Sequence, residues 1–365
     1  MNKRFLFFNG RFLTQPVTGV QRFGRELLNA LDKLLIENSD LFPDTHVVCL
    51  IPPHTHSSIM PDWKKIAIRQ RGFTHGNIWE QFELPFLARS GLLVNLCNTG
   101  PLLHFKHVSV LHDASVFAVP NSYTSRFRLK YRLILFALSH TARHLITVSH
   151  FSAAELARYL GVAINKFTVI NEGCDHLLRI ESDEGILTRA NINKKPFVLL
   201  VGSSSAHKNI ASVIQAYQLI QHPSFNLVII GGKYSRVFNK TLNFVSEGVI
   251  YLGYVDDNKL KALYQNAKCF IFPSFYEGFG LPPLEAMICG CPVLAADSAS
   301  IPEICGDAAV YFNPNNLVEI KEQLINLISS PALQQKFIKR GLLRARKYTW
   351  HKSAEELSHI IKGIL

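Results

Sequence analysis

The sequence predicts two doubly wound α/β domains, each built on a parallel sheet that helices cover on both faces. Short apolar runs alternate with longer helical patterns in both halves of the chain. Several of these runs are apolar throughout and end in glycine, which is typical of strands buried on both faces. The length of 365 residues exceeds what one hydrophobic core usually organises. We therefore expect an α/β protein with two such domains.

The first half predicts alternating strands and helices. The helix after the first strand places Val20, Phe23, Leu27, Leu31 and Leu34 on one face. The predicted strands are "RFLFF" (4–8), "THVVCLI" (45–51), "HVSVLHD" (107–113), "HLITVS" (144–149) and "FTVINEG" (167–173), and the predicted helices cover 20–35, 125–142 and 150–161.

A polar segment without clear periodicity, residues 179–195, predicts a linker between the domains. The alternation then restarts with the strands "FVLLVG", "FNLVIIG", "VIYLGYV", "CFIFPS" and "PVLAAD". We therefore predict a first domain over 1–178, a second over 196–349, and a last helix over 350–365 that crosses back to the first domain. Ser353 and Glu356 suggest a capping box near the start of that helix.

Composition excludes several classes of protein. The net charge is +12, but it is too dispersed for a nucleic-acid-binding stripe, and we expect no nucleic-acid partner. The seven cysteines form no C-x-x-C pair and mostly lie in apolar runs, so they predict neither a disulfide framework nor a zinc site. The apolar run before Asn9 is too short for a signal peptide, and no stretch of about eighteen apolar residues predicts a transmembrane helix. We expect a cytoplasmic protein.

The stretch "SFYEGFGLPPLEAM" (274–287) carries the strongest chemical signal. Gly278 and Gly280 permit a tight turn after a strand, and the two prolines that follow suit the first turn of a helix. A helix N-terminus preceded by glycines binds anions, phosphate above all. Glu277 and Glu285 flank this turn, and carboxylates accept hydrogen bonds from pairs of hydroxyl groups. The pattern indicates a site for a phosphorylated molecule with hydroxyls on both sides of its phosphates.

These residues resemble the signature of the retaining GT-B glycosyltransferases of family GT4, in which E-x7-E is present here as Glu277 and Glu285. The segments "TGVQRFGREL", "VLHD", "ITVSHFS" and "VINEG" match further family motifs in order, so the resemblance spans nearly the whole chain. It implies the GT-B fold, with two Rossmann-like domains facing a central cleft. The first domain would be the acceptor side and the second would bind a nucleotide sugar.

The resemblance also implies roles for individual residues. Glu277, His112 and Lys208 match the catalytic positions, with Glu277 and His112 near the donor sugar and Lys208 over the diphosphate. Glu285 matches the glutamate that binds the ribose. The remaining donor-binding positions would be Gly278, Phe279, Gly280, Leu281, Ser203, His207 and Gly19. This chain departs from the family at His207, where arginine is common, and at Ser203, where some members carry another arginine. Phosphate binding would then rest either on two cations or on Lys208 alone.

Three further residues fall on the acceptor side, namely Asn98, Thr99 and Asp113. Asp113 either orients His112 or caps the turn that follows it. No D-x-D motif occurs in the sequence, so we expect neither a metal site nor another cofactor, with the nucleotide sugar serving only as the donor substrate.

The resemblance implies transfer of a hexose, with mannose from GDP-mannose preferred, to a lipid-linked oligosaccharide in surface-polysaccharide (O-antigen) synthesis. The alternatives are another GT-B reaction, as in a phosphorylase or a sugar-nucleotide epimerase, and a catalytically silent partner subunit. The helix over 125–142 places Arg126, Arg128, Lys130 and Arg132 among apolar residues. It predicts peripheral contact with the anionic inner face of the cytoplasmic membrane, although a buried helix with one basic face fits equally well.

Overall fold

The structure is a computed structural model that describes residues 4–55, 60–231 and 247–365. Its contacts divide the chain into two compact units. The first unit comprises Met1–Gly173 and Thr349–Leu365, and the second comprises Cys174–Tyr348. The second unit is therefore inserted in the chain between two parts of the first.

The first unit is built on a seven-stranded sheet in which every paired strand is parallel. Its strands are β1 (Arg4–Asn9), β2 (Thr45–Ile51), β3 (Ala67–Gln70), β4 (Leu92–Asn95), β5 (His107–Val110), β6 (His144–Thr147) and β7 (Phe167–Val169). Their order across the sheet is β3-β2-β1-β4-β5-β6-β7. Strands β4 and β5 are buried at every residue, as expected where helices cover both faces of a sheet.

The helices of the first unit alternate with these strands. They are α1 (Gly19–Glu37), α2 (Gly76–Ile78), α3 (Leu84–Leu87), α4 (Ser115–Ala118), α5 (Ser125–Thr141) and α6 (His150–Leu160). A π-helical turn over Trp79–Glu83 joins α2 to α3, so residues 76–87 form one continuous helical segment. Trp79 is fully buried in this segment and packs against the same cluster as Phe7 and Leu93 of the sheet.

The second unit contains a six-stranded sheet, also with parallel pairing throughout. Its strands are β8 (Phe197–Val201), β9 (Asn226–Ile230), β10 (Val249–Gly253), β11 (Cys269–Phe272), β12 (Val293–Ala296) and β13 (Ala309–Phe312), in the order β10-β9-β8-β11-β12-β13. Its helices are α7 (Gly185–Arg189), α8 (Ile210–Gln218), α9 (Asp257–Asn266), α10 (Leu281–Ile288), α11 (Ile301–Cys305), α12 (Leu317–Ser329) and α13 (Pro331–Ala345). The predicted α/β class with two parallel-sheet domains is confirmed.

The last helix, α14 (Trp350–Ile364), packs against α1 within the first unit. Trp350 is only 1 % exposed, and its ring meets Phe23 of α1 edge-on with the ring centroids 5.9 Å apart. The predicted capping box at Ser353 is wrong, because the side chain of Thr349 caps the helix by accepting from the Lys352 N–H. Ser353 instead donates its hydroxyl to the carbonyl oxygen of Asn171 at 2.6 Å.

The units change at Gly173/Cys174 and at Tyr348/Thr349. The segment 179–195, which the sequence suggested as a linker, lies within the second unit and contains α7. Its Asp183 N–H donates to the carbonyl oxygen of Asn258 on α9, which ties it to that unit. A polar segment can be structured in this way when its backbone finds partners on a neighbouring element.

Candidate functional site

The turn between β11 and α10 contains a left-handed backbone conformation that depends on a glycine. Gly280 is the N-cap of α10 with φ of +104°, a region that other residues rarely adopt. The hydroxyl of Ser300 donates to the carbonyl oxygens of Glu277 and Phe279, at 3.0 and 2.8 Å. Gly278, Phe279, Gly280 and Leu281 are all buried. The Ser300 hydroxyl and the burial of these four residues therefore stabilise the turn.

Two of the residues predicted as catalytic lie together in the second unit. Lys208 Nζ lies 2.7 Å from Oε1 and 2.9 Å from Oε2 of Glu277, so the ammonium group donates to both carboxylate oxygens. The side chains are 23 % and 13 % exposed, which leaves the pair open to water. They come from loops that follow β8 and β11, which are neighbours in the sheet.

The loop that carries Lys208 is joined to the glutamate loop through the backbone. The Phe275 N–H donates to the carbonyl oxygen of His207 at 2.8 Å. Ser203 is exposed and its hydroxyl donates to Ser205, and His207 is half-buried. Lys208 ends a short 3-10 turn, and Asn209 follows with a left-handed backbone. These loops bring Ser203, His207, Lys208 and Glu277 to the carboxyl end of the second sheet, where ligands of doubly wound sheets bind.

Glu285 has surroundings quite unlike those of Glu277. It lies on α10, is only 4 % exposed, and its Oε1 is 3.1 Å from Nε2 of His176. Its Oε2 accepts a hydrogen bond from the hydroxyl of Tyr264 at 3.2 Å. Burial, reinforced by Glu285, raises the pKa of Tyr264 well above its usual value, so the phenol keeps the proton that it donates. A carboxylate can accept about four hydrogen bonds, so these contacts are compatible with binding a ribose as well. The ribose-binding role of Glu285 stays a prediction.

In the first unit, His112 follows β5 but is held by residues of its own unit. It is 3 % exposed, and its Nε2 lies 2.9 Å from the carbonyl oxygen of Leu96, which requires a proton on that nitrogen. Its Nδ1 lies 3.7 Å from Oε1 of Glu172, and its ring meets Phe23 edge-on at 4.7 Å. The structure thus places His112 where predicted along the chain, and its contact with a donor sugar stays a prediction.

Two of the residues predicted on the acceptor side, Asn98 and Asp113, stabilise the loop beside His112. Asn98 adopts φ of +59°, and its Oδ1 accepts from the His112 N–H at 2.6 Å. Asp113 accepts from the Ser115 N–H at 2.7 Å. Of the two predicted roles of Asp113, the structure shows the cap of the turn that follows.

A buried polar network beside this loop was not predicted from the sequence, apart from Thr99. Glu80 is 1 % exposed, and its Oε1 accepts from Asn9 Nδ2, Arg11 Nε and Thr99 Oγ1 at 2.8, 3.0 and 2.9 Å. Arg11 Nη2 also donates to Thr99 Oγ1 at 2.8 Å. Within the described residues, Glu80 Oε2 is buried without a hydrogen-bond partner. The available signal was a glutamate among apolar residues in "NIWEQFELP", which the sequence analysis did not use.

Gly19 is the first residue of α1 and is exposed. A Cβ atom built on it would meet nothing within 4 Å. Its lack of a side chain is therefore not required by the packing of the first unit itself.

All seven cysteines are free, and five of them are buried. Burial raises the pKa of the Cys49, Cys97, Cys174 and Cys269 thiols far above the usual value, so these thiols stay protonated. In the three described ranges, no group of three or more His, Cys, Asp or Glu side chains is placed to hold a metal ion.

Comparison with solved structures agrees with this architecture. WaaG, a glycosyltransferase involved in lipopolysaccharide biosynthesis, superposes with a TM-score of 0.73, covering 98 % of this chain and 100 % of its own at 16 % identity. Anabaena HepE in complex with UDP-glucose gives 0.73, covering 99 % of each chain at 15 % identity. Residues 186–344, within the second unit, match the family profile described as "Glycosyl transferases group 1". The chain is a glycosyltransferase with the GT-B fold.

Within this class, the chain is similar in sequence to enzymes of O-antigen synthesis. This similarity confirms the resemblance to GT4 enzymes that the motifs indicated. O-antigen chain mannosyltransferase B of Escherichia coli is 28 % identical, over 95 % of this chain and 96 % of its own length. O-antigen chain mannosyltransferase RfbU of Salmonella typhimurium is 29 % identical over 66 % of this chain and 65 % of its own. The serotype-specific mannosyltransferase WbdA of Escherichia coli is 25 % identical over 96 % of this chain, which spans 43 % of WbdA.

Proposed function

We propose that this glycosyltransferase transfers mannose from GDP-mannose, with retention of anomeric configuration, to a lipid-linked oligosaccharide during O-antigen synthesis. The three similar proteins described above are all named as mannosyltransferases, and one of them aligns over nearly its whole length. The observation that carries the proposal is the Lys208–Glu277 pair beside a glycine turn, at the carboxyl end of the second sheet. Such a place suits a diphosphate and the hydroxyl-rich group attached to it.

In this proposal Lys208 exchanges Glu277 for the diphosphate of the donor. The pair is partly exposed, and the diphosphate of a nucleotide sugar carries two negative charges, so it can displace the single carboxylate from Lys208. Glu277 is then free to accept hydrogen bonds from hydroxyls of the donor sugar. Lys208 stabilises the charge that develops on the leaving nucleoside diphosphate.

The transfer replaces one carbon–oxygen bond by another at the anomeric carbon. The bond to the phosphate oxygen breaks, and a bond to the acceptor hydroxyl oxygen forms on the same face of the sugar. The hydroxyl proton passes to a phosphate oxygen of the leaving nucleoside diphosphate. We propose that no metal ion takes part, so activity should survive an excess of EDTA. Loss of activity that Mg²⁺ or Mn²⁺ restores would overturn this part of the proposal.

The donor is tested by incubating the purified chain with GDP-mannose, UDP-glucose or dTDP-rhamnose. A ligand at 100 times its Kd adds about 2.7 kcal/mol to the free energy of unfolding, which a thermal shift detects. We expect stabilisation by GDP-mannose alone. Lys208→Ala serves as the matched control and should lose it. Stabilisation by another donor would replace mannose in the proposal.

The reaction is tested with GDP-mannose and lipid-linked saccharides extracted from membranes. We expect mannosylated lipid with the anomeric configuration of the donor, read by NMR of the released glycan. Release of a sugar 1-phosphate from the saccharide when inorganic phosphate is added would favour a phosphorylase. Interconversion of the sugar nucleotide without an acceptor would favour an epimerase, and failure to bind any donor would favour a silent partner subunit.

No helix within the described part of the chain combines the length and the apolar character needed to span a membrane. We propose that the protein meets its lipid-linked acceptor as a peripheral protein at the inner face of the cytoplasmic membrane.

A further inference from the structure

Large apolar side chains, each more than half exposed, lie along three segments of the first unit. The helical segment 76–87 and the loop before it contain four of them, the loop 103–105 contains two, and α5 contains three. Their exposed fractions are Phe73 94 %, Ile78 60 %, Phe82 67 %, Phe86 72 %, Leu103 73 %, Phe105 65 %, Leu129 62 %, Leu133 60 % and Phe136 54 %. We call these nine residues the apolar face. Contiguous exposed apolar residues on a soluble protein mark an interaction surface.

The spacing of these residues puts them on the outer sides of two helices. Ile78, Phe82 and Phe86 follow one another at intervals of four along the helical segment 76–87. On α5, Leu129, Leu133 and Phe136 are spaced as one helical face, while Leu135 and Leu138 of the same helix are buried in the core. Helix α5 is therefore apolar on its inner and its outer side.

Contacts place the three segments next to one another. The side-chain amide of Gln81 donates to the carbonyl oxygen of Gly100 at 2.9 Å and accepts from the Leu102 N–H at 3.1 Å. These bonds hold the loop after residue 100 against the helical segment 76–87. Leu102 in turn packs against the core cluster that contains Leu135 and Leu138 of α5. The loop thus connects the two helices within one region of the first unit.

The charge around the apolar face is mainly positive. Residues 84–154 hold seven basic residues and a single acidic one, Asp113. The helical segment 76–87 adds two glutamates, of which Glu80 is buried and Glu83 accepts from the Phe73 N–H at 2.7 Å. The basic residues are Arg89, Lys106, Arg126, Arg128, Lys130, Arg132 and Arg143. Arg126 and Lys130 are exposed on α5 among the residues of the apolar face, and Lys106 is exposed directly after Phe105. Aromatic and aliphatic side chains bordered by basic residues suit the headgroup region of an anionic bilayer.

We propose that the apolar face seats the first unit on an anionic lipid bilayer. The nine side chains enter the boundary between headgroups and acyl chains, and Arg126, Lys130 and Lys106 contact lipid phosphates. The purpose of this surface, to bring the enzyme to a lipid-linked acceptor, rests on the proposed function, whereas the binding itself does not.

The test is co-sedimentation of the full chain with vesicles of phosphatidylglycerol and phosphatidylcholine, against vesicles of phosphatidylcholine alone. We expect binding to the anionic vesicles that weakens as salt is added, and much weaker binding to the neutral ones. Two double variants, Phe82→Ser with Phe86→Ser and Leu129→Ser with Leu133→Ser, should each reduce binding about tenfold or more. Arg126→Glu with Lys130→Glu should reduce it by more than about twentyfold, since each basic residue near an anionic surface contributes about fivefold.

Leu343→Ser is the matched control, because Leu343 is 64 % exposed but lies in the second unit. It should bind vesicles as the unchanged chain does. Circular dichroism and thermal unfolding check that each variant is folded. Absence of binding to anionic vesicles, or binding that all three double variants leave intact, would overturn the proposal. A concentration-dependent dimer that the same variants convert to monomer would assign the apolar face to a second copy of the chain instead.

The two proposals fail separately. Stabilisation by GDP-mannose requires no membrane, so the double variants should bind the donor as the unchanged chain does. A chain that binds vesicles through the apolar face but no nucleotide sugar would remove the proposed function and leave the lipid surface in place.

Discussion

Both units carry a cation–carboxylate pair near the carboxyl ends of their strands, but water reaches the two pairs to different extents. In the second unit the side chains of Lys208 and Glu277 are 23 % and 13 % exposed. In the first unit those of Arg11 and Glu80 are 9 % and 1 % exposed. Breaking a buried pair leaves a charge without compensation, while an exposed partner can be replaced by water or by a ligand. The comparison separates a pair that supports the fold from one that can exchange partners.

The largest effect is expected at the buried pair. Glu80→Ala leaves the Arg11 guanidinium buried without its carboxylate, which typically costs 3–5 kcal/mol, so we expect a loss of about 3–5 kcal/mol in the free energy of unfolding. Chemical denaturation measures it. Glu322→Ala, at an exposed position of the second unit, is the control and should change little. A loss below about 1 kcal/mol at Glu80 would show that the network is not structural.

Lowering the pH should reduce the free energy of unfolding of the first unit through another buried group, His107. Burial, with a smaller contribution from His104, lowers the pKa of His107 on β5 to about 4. This folded-state pKa lies below the unfolded value of about 6.5. The contribution of His107 to the free energy of unfolding is therefore fully present above pH 6.5 and is lost as the pH falls toward 4. We expect a loss of roughly 3 kcal/mol over that window, measured by denaturation at each pH.

The corresponding control is His107→Gln, which removes the titrating group while keeping polar atoms beside Ser109 and Thr141. Its stability should vary less between pH 6.5 and 4, whereas His140→Gln, at an exposed position, should keep the slope of the unchanged chain. Equal slopes in all three proteins would contradict the role of His107.

At the Lys208–Glu277 pair, a substitution should reduce activity and leave stability nearly unchanged. Glu277→Gln removes the negative charge that we propose for the donor sugar, and kcat/KM should fall on the order of 10²-fold. The free energy of unfolding should change by no more than about 1 kcal/mol, because the pair is partly exposed. Steady-state kinetics and thermal unfolding measure both quantities. A stability loss like that of Glu80→Ala would place the two pairs in the same class.

Glu285 tests whether a buried carboxylate can also serve a ligand. If it binds the ribose, Glu285→Gln should weaken binding of free nucleoside diphosphate by roughly 1.5–3 kcal/mol, measured by calorimetry. Tyr264→Phe removes a buried hydrogen bond to the same carboxylate, should cost about 1 kcal/mol of stability, and should leave nucleotide affinity nearly unchanged. Unchanged affinity in a folded Glu285→Gln protein would limit Glu285 to a structural role.

The smallest structural effect is expected at Gly19. Since a Cβ atom there meets nothing within 4 Å, Gly19→Ala should leave stability unchanged or raise it by about 0.4–1 kcal/mol. If substrate approaches the backbone at this residue, KM should rise while unfolding does not suffer. Unchanged kinetics would show that Gly19 is only the entry to α1.

The sequence predicted the fold class because strands buried on both faces, such as β8 and β11, leave continuous apolar runs. It also identified Lys208 and Glu277 as site residues. It did not predict their contact, because local sequence patterns do not show that β8 and β11 are neighbours in the sheet. Strands β3, β4 and β13 were not predicted, although β4 is buried at every residue and lies beside β1 in the sheet.

Other features of the candidate site depend on distant partners. The burial of Glu285 requires His176, which is 109 positions away in the chain. The burial of Glu80 could not be predicted from the helical pattern. Its neighbours Ile78 and Phe82 are exposed while Glu80 is buried, and a helical pattern normally indicates the opposite. Sequence patterns are informative where apolar means buried, and they mislead where the outer surface is itself apolar.

The insertion of the second unit into the first has a consequence for synthesis on the ribosome. After Gly173 emerges, the 175 residues of Cys174–Tyr348 must be translated before α14 can reach α1. At about 5–20 residues per second this takes roughly 10–35 s. Throughout that interval the nascent first unit lacks Trp350 and the helix that covers Phe23. The inserted unit, whose strands are contiguous in the chain, can complete its fold first, so the newborn first unit is the one that a chaperone would need to shield.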